Sequence, residues 1–255
     1  MHPDSLAVTL HASAAETASD SGDAVDLQSD GVLLRRFIEL ALVITAASGT
    51  DPTLDVTVET SDDGTTWETV EAFAQQEAVG VVRQSFGDLK QYVRASWVIG
   101  GSDTPSFTFA LSGTGLVTYA TLTELGTKGV KATALTSVTT TQRIAQLVSS
   151  TEEARSYLVA RFCAPILDVG TEVSEAVAKM AAVALLTSLV GINPTSNAHT
   201  LLITEKDSKI SWLRLVSAGK AKANVLDSTP ETQEGSGAVV VSNNERRGWG
   251  DNGVL

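Results

Sequence analysis

The feature that most constrains this chain is a change of hydrophobic period near residue 117. From Leu6 to Val117, short runs of Val, Ile, Thr and aromatic residues are separated by Gly, Asp, Ser and Pro. Beyond it, apolar residues recur every three or four positions. Period two puts one wet and one dry face on a strand, and a period near 3.6 puts an apolar stripe on a helix, so neither half can be written as the other. The pattern predicts an α+β, two-domain chain: an N-terminal all-β sandwich of jelly-roll-like form (residues 1–117), an α-helical bundle (118–222), and a linker with an extended C-terminal tail (223–255). With 255 residues, 43% of them hydrophobic, each half can bury its own core. The halves are expected to be separable, so that a fragment of residues 119–255 stays soluble and helical.

Strands are predicted over 6–11, 24–28, 33–46, 53–60, 66–74, 79–86, 91–99 and 106–115. Leu54, Val56 and Val58 alternate with Asp55, Thr57 and Glu59, and Val93, Ala95, Trp97 and Ile99 share a face, as do Phe107, Phe109 and Leu111. Asp62-Asp63-Gly64 predicts a hairpin turn of primed type. After Gly113-Thr114-Gly115 the helical text begins, with a short helix around 121–125. Ile144, Leu147, Val148, Thr151, Ala154, Leu158 and Phe162 then trace one amphipathic helix over 139–162, which a capping box at Ser150 and Glu153 would instead divide in two. Pro165 stops it. A nearly all-apolar helix over 171–190 ends at Gly191, and a third over 204–218 ends at Gly219 with Ile210, Leu213 and Val216 inward. Residues 220–237 read as a linker.

Composition excludes more chemistry than it supports. Residues 1–118 carry 17 acidic and five basic side chains and residues 119–255 carry 13 of each, so the net charge of −12 sits in the first half. Such a surface repels phosphate backbones and argues against gripping DNA by counterion release. One cysteine, Cys163, makes no internal disulfide and is expected to be a small buried filler. The first twelve residues lack a secretory signal, and the apolar run 176–190 is too short and too interrupted to span a bilayer, which reads as a soluble intracellular protein. His2, His11 and His199 stand far apart with no metal-ligand spacing and read as surface or loop residues. Ser217-Ala218-Gly219-Lys220 closes a helix rather than opening one, so it is a C-cap and not a phosphate loop. Asp62-Asp63-Gly64 lacks the further carboxylates of a calcium loop, and Asp55 with Glu59, or Glu68 with Glu71, read as solvated strand faces rather than a glycosidase pair. The expectation is a protein without catalytic, metal or cofactor residues.

Three segments carry a likeness. Tyr119-Ala120-Thr121-Leu122-Thr123-Glu124-Leu125, then Ser156-Tyr157-Leu158-Val159-Ala160-Arg161-Phe162-Cys163-Ala164-Pro165, then Trp212-Leu213-Arg214-Leu215-Val216-Ser217-Ala218-Gly219-Lys220 stand in the order found in the head-to-tail adaptor (connector) proteins of tailed bacteriophages, which the helical half resembles. The first 118 residues, absent from the small adaptors, more loosely resemble β-sandwich modules of phage structural proteins, through Ser61-Asp62-Asp63-Gly64-Thr65-Thr66-Trp67 and Tyr92-Val93-Arg94.

The resemblance implies a non-enzymatic virion protein of the neck, assembled in the host cytoplasm. It would form a ring with neighbouring copies of itself, twelvefold in mature particles, that joins the portal protein to tail-side neck or tail-completion proteins. Double-stranded DNA would be passing cargo, and no membrane would be involved. The partner-binding residues are expected in the tail, where Val239, Val240 and Val241 have strand character and Arg246, Arg247 and Trp249 are residue types that dominate interfaces. Two rivals remain: a carbohydrate- or ligand-binding sandwich on a helical oligomerising stalk, which an exposed Trp67 or Trp97 would favour, and a tail or baseplate component.

Overall fold

The computed structural model describes residues 5–191 and 197–228. Strands β1 (Leu6–Glu16), β2 (Asp20–Ser21), β3 (Val25–Asp26), β4 (Arg35–Ser61), β5 (Glu68–Ala72), β6 (Gly80–Phe86) and β7 (Tyr92–Val117) form one antiparallel sheet. At its centre β4 pairs with β7 from Arg35 opposite Val117 to Ser61 opposite Tyr92. The outer side of β7 is lined by β1, β2 and β3, and that of β4 by β5 and β6.

The sequence divides each central strand in two, at 47–52 and at 100–105, yet both continue through those breaks. Gly49, Asp51, Gly101, Asp103 and Thr104 do have positive φ there, as turn chemistry requires, but the two strands bend together and keep pairing around the corner. The Thr50 hydroxyl donates to Asp103 across the bend at 2.6 Å. The bend folds the ribbon on itself. Trp97 and Phe109 are twelve residues apart on β7, about 40 Å in a straight strand, but their ring centroids lie 5.6 Å apart, edge to face. Leu54, Val56, Val58, Val93 and Ala95 from one side of the bend share a core with Val8, Leu40, Leu42, Phe107 and Leu111 from the other.

Gly113 lies inside β7, as the expected strand over 106–115 has it, and an added Cβ there would lie 1.8 Å from the Glu39 carbonyl oxygen, so only glycine permits that approach. One local expectation is corrected. The hairpin between β4 and β5 is a six-residue loop, 62–67, rather than a two-residue primed turn. Asp63 holds it by accepting from the Thr65 and Thr66 amides at 2.8 and 2.7 Å, while Gly64 takes the positive φ.

The later half is helical. α1 (Leu122–Glu124) and the wide turn 125–129 lead through a 3₁₀ turn, Ala132–Leu135, to α2 (Thr140–Leu158), a single helix. Its capping box is Thr139 with Gln142, at the expected start, and not Ser150 with Glu153. β8 (Ile166–Val169) precedes α3 (Thr171–Leu185), whose last turn widens over 186–190 and stops at Gly191 with φ of 90°. α4 (Asn197–Ser217) starts seven residues earlier than expected and ends in a Schellman turn, Gly219 N donating to Val216 O and Lys220 N to Leu215 O. β9 (Val225–Asp227) pairs with β8, so part of the stretch read as linker is a strand. No helix among the described residues is long and apolar enough to cross a membrane.

The two cores meet on one strand. Phe37 and Ile38 are adjacent in β4 and both fully buried, and because successive side chains on a strand point to opposite faces, Phe37 enters the helical core while Ile38 enters the sheet core. Val32, Leu34 and Val117 follow Phe37. Asp88 crosses the seam by accepting from the Leu122 and Thr123 amides at 2.7 and 3.1 Å, and the Leu33 amide donates to the Leu167 carbonyl on β8 at 3.0 Å.

Candidate functional site

The three sequence segments that carry the likeness converge on one core. Tyr119, Ala120 and Leu125 of the first, Leu158 and Phe162 of the second, and Leu213 and Val216 of the third are all buried in the same cluster. The Tyr119 amide donates to the Thr151 hydroxyl of α2 at 3.0 Å. In the second segment Arg161 lies just past the end of α2 and points to the end of α4, donating to the Ala221 carbonyl at 2.9 Å and the Val216 carbonyl at 3.4 Å. A helix leaves its last carbonyls without intrahelical partners and carries partial negative charge there, so a guanidinium fork fits that position in geometry and in sign. This arginine thus ties the central segment to the last one. Arg161→Ala is expected to lower stability by about 1.5–3 kcal/mol, the range for hydrogen bonds to a charged group, and Arg161→Lys should restore only part of it. Urea midpoints of the three proteins measure this, and an unchanged midpoint in Arg161→Ala would remove the tie.

Most of the acidic side chains that sequence offers as catalytic or calcium candidates are engaged in pairs or turns of their own. Asp55 accepts from Gln75 at 2.9 Å, Glu59 from Arg94 at 2.7 Å, and Glu68 from Lys90 at 2.9 Å. The Asp63 carboxyl is held far below the usual carboxylate range, chiefly by the Thr66 and Thr65 amides of its own loop, which makes it a turn organiser. Among the described residues no three His, Cys, Asp or Glu side chains gather as a metal site.

Two readings of single residues are corrected. Cys163 is exposed rather than buried, because it lies in the loop after α2, its amide donating to Asp227 at 2.7 Å. His11 is not a surface residue: its bulged position on β1 turns the ring inward, where its centroid is 4.6 Å from that of Trp97 and 4.3 Å from that of Phe109. Its Nε2 is buried without a hydrogen bond and stands 3.6 Å from Glu16. Burial pushes its pKa below the ordinary histidine value, against the opposing pull of Glu16. Folding therefore favours the neutral ring, and the stability that follows is present above the ordinary histidine range and is lost as pH falls through it. The melting temperature is expected to drop between about pH 7 and pH 5, with a shallower slope in His11→Leu. Equal slopes in the two proteins would show that His11 is not responsible.

Of the two tryptophans that a carbohydrate site would use, Trp97 is buried, its indole N–H donating to the Ala18 carbonyl at 3.2 Å. Trp67 is half-buried, with the Arg94 guanidinium over its ring at 4.3 Å. The predicted partner-binding residues Val239, Val240, Val241, Arg246, Arg247 and Trp249 lie outside the described residues, as does His2.

No protein-family model matches the chain, and no curated protein matches it. Among solved structures, the crystal structure of PBSX exported protein XepA is similar at 21% identity and a TM-score of 0.31, over 42% of this chain and 36% of that one. The chain thus matches little more than a third of that protein's length, at a score that fixes neither fold nor function.

Proposed function

We propose that this chain is a non-enzymatic structural protein of the tailed-bacteriophage neck, an adaptor whose copies form a ring joining the portal protein to tail-side neck or tail-completion proteins. On this reading residues 118–222 are the adaptor domain, residues 1–117 a jelly-roll-like accessory domain, and the tail beyond Ser228 the docking segment. One observation supports it most: the three segments that resemble the adaptor family pack into one core, with Arg161 joining the second to the third. The charge distribution fits, since an acidic half joined to a neutral one offers little for duplex phosphates to hold as DNA slides past.

The carbohydrate-binding rival needs an open aromatic platform, and the burial of Trp97 and the guanidinium over Trp67 count against it. The direct test of the adaptor reading is a density map of the virion that incorporates this chain. Density for a ring of it between portal and tail is expected, and its placement in the baseplate or its absence from the particle would overturn the proposal.

A further inference from the structure

The outer strands of the large sheet are blunted against pairing with another chain, with one exception. β1 is broken by two register shifts around His11, and β2 and β3 are two residues long. β5 is five residues long, pairs across a register shift at Val58 and Glu59, and carries the exposed Glu68 and Glu71. Bulges, short length and charge are the ordinary devices by which a sheet edge avoids adding a strand. β6 is different. It pairs with β4 in unbroken register from Gly80 opposite Ile44 to Phe86 opposite Ile38, and among the described residues no strand pairs with its other edge. It has no proline, and Arg83 is its only charged residue.

What this edge presents is apolar. Ala78, Val79, Gly80 and Val81 are all exposed, Val79 at 61% and Val81 at 59%. Val81 ends a row on the face turned away from the sheet core: Ala110 on β7 stands opposite Val43 on β4, and Val43 stands opposite Val81. Gly80 belongs to the other face, with Ile44, and a Cβ built on it would have nothing within 4 Å. A further strand would therefore continue a row of small apolar side chains on one face and find open space on the other.

The chain carries a segment of that kind. Ala238-Val239-Val240-Val241-Ser242 is β-prone and uncharged, and Arg246 and Arg247 follow it. Antiparallel addition with Val240 opposite Gly80 sets Val239 against Val81 and Val241 against Val79, and turns Val240 into the open space. The same direction carries Arg246 and Arg247 alongside the residues that precede β6, where Glu71 and Glu77 are exposed, whereas parallel addition carries them past Arg83. Residues 229–237 can span up to about 30 Å when extended, enough for the segment to leave its own fold. We propose that residues 238–242 of one copy add as an antiparallel strand to the β6 edge of a neighbouring copy. This assignment rests on the reading of the tail as a docking segment and gives that segment its receptor.

The test uses the full chain with Cys163→Ser, so that no native thiol competes. Val81→Cys and Val239→Cys are placed in separate chains, which are mixed and oxidised. A disulfide between the two is expected, in about tenfold excess over a mixture of Val239→Cys with Thr9→Cys, whose exposed position lies on the bulged β1. Val240→Pro in the tail chain removes a ladder N–H, and Val79→Lys in the receiving chain adds an edge charge, so each should lower the yield about tenfold. Three results would overturn the proposal. One is a yield no higher than with Thr9→Cys. Another is a disulfide formed only inside single chains that carry both cysteines, which would mean that the tail covers its own sheet. The third is Val81→Cys chains linking to each other as readily as to Val239→Cys, which would mean that β6 pairs with β6. The virion density map reads out separately: a chain absent from the neck removes the neck assignment and leaves a strand exchanged between copies intact, while a failed cross-link leaves the neck assignment standing.

Discussion

Removing residues 238–255 is expected to abolish attachment to portal-bearing heads while leaving the melting temperature of the free protein unchanged. The second half of that statement follows from where the fold closes. Val225 packs on the helical core, β9 completes its ladder with β8 at Asp227, and Ser228 is tied back through its amide to the Pro165 carbonyl at 3.2 Å and through its hydroxyl to the Ala164 carbonyl at 2.7 Å. The first half follows from what the tail carries: a β-prone run at Val239-Val240-Val241, two arginines suited to bidentate bonds at Arg246 and Arg247, and Trp249 between glycines. Trp249→Ala alone should weaken attachment by at least about 2 kcal/mol, as loss of a central aromatic anchor does. Cosedimentation with heads and a thermal melt settle both halves. A truncated protein that still joins heads, or one that no longer folds, would remove the tail from the role assigned to it.

The faces of the elements were legible in the sequence, and their continuity was not. Alternation placed Leu54, Val56, Val58, Val93, Phe107 and Phe109 in the core, and all of them are fully buried. Helical spacing likewise placed Ile144, Leu147, Leu158, Leu213 and Val216. What local pattern cannot supply is whether a Gly-Asp-Pro cluster reverses a chain or bends two paired strands together. The residues at 49–53 and 100–105 have the same composition in either case, and only the partner strand decides. The reason for Gly113 was equally hidden, since its lack of a side chain serves a neighbour 74 positions away, Glu39. β9 is three residues long, below the length at which alternation is visible. His11 was invisible as a core residue because the bulge that turns it inward is set by its pairing with Leu111.

That seam is also where stability should depart from the domain boundary suggested by the change of period. Phe37 belongs by sequence to the sheet and by packing to the helices, with Leu122 so close over it that a Cβ on Gly87 would meet Leu122 at 2.6 Å and the Phe37 ring at 2.9 Å. Phe37→Ala is expected to destabilise the protein by about 3–5 kcal/mol, because the seam is held by strands and a helix cap that cannot collapse into the void. The same contact makes the halves unequal. Residues 5–117 keep the whole sheet core, whose cluster includes no residue beyond Leu111, whereas a fragment starting at residue 119 loses Val32, Leu34, Phe37 and Val117 from its own. The β fragment should therefore fold alone, and the helical fragment should be soluble only with those residues restored, contrary to the independence that the two periods imply. Circular dichroism and urea unfolding of both fragments decide the matter. Cooperative unfolding of residues 119–255 alone, with Phe37→Ala costing the full chain less than about 1 kcal/mol, would show that the seam only joins two finished domains.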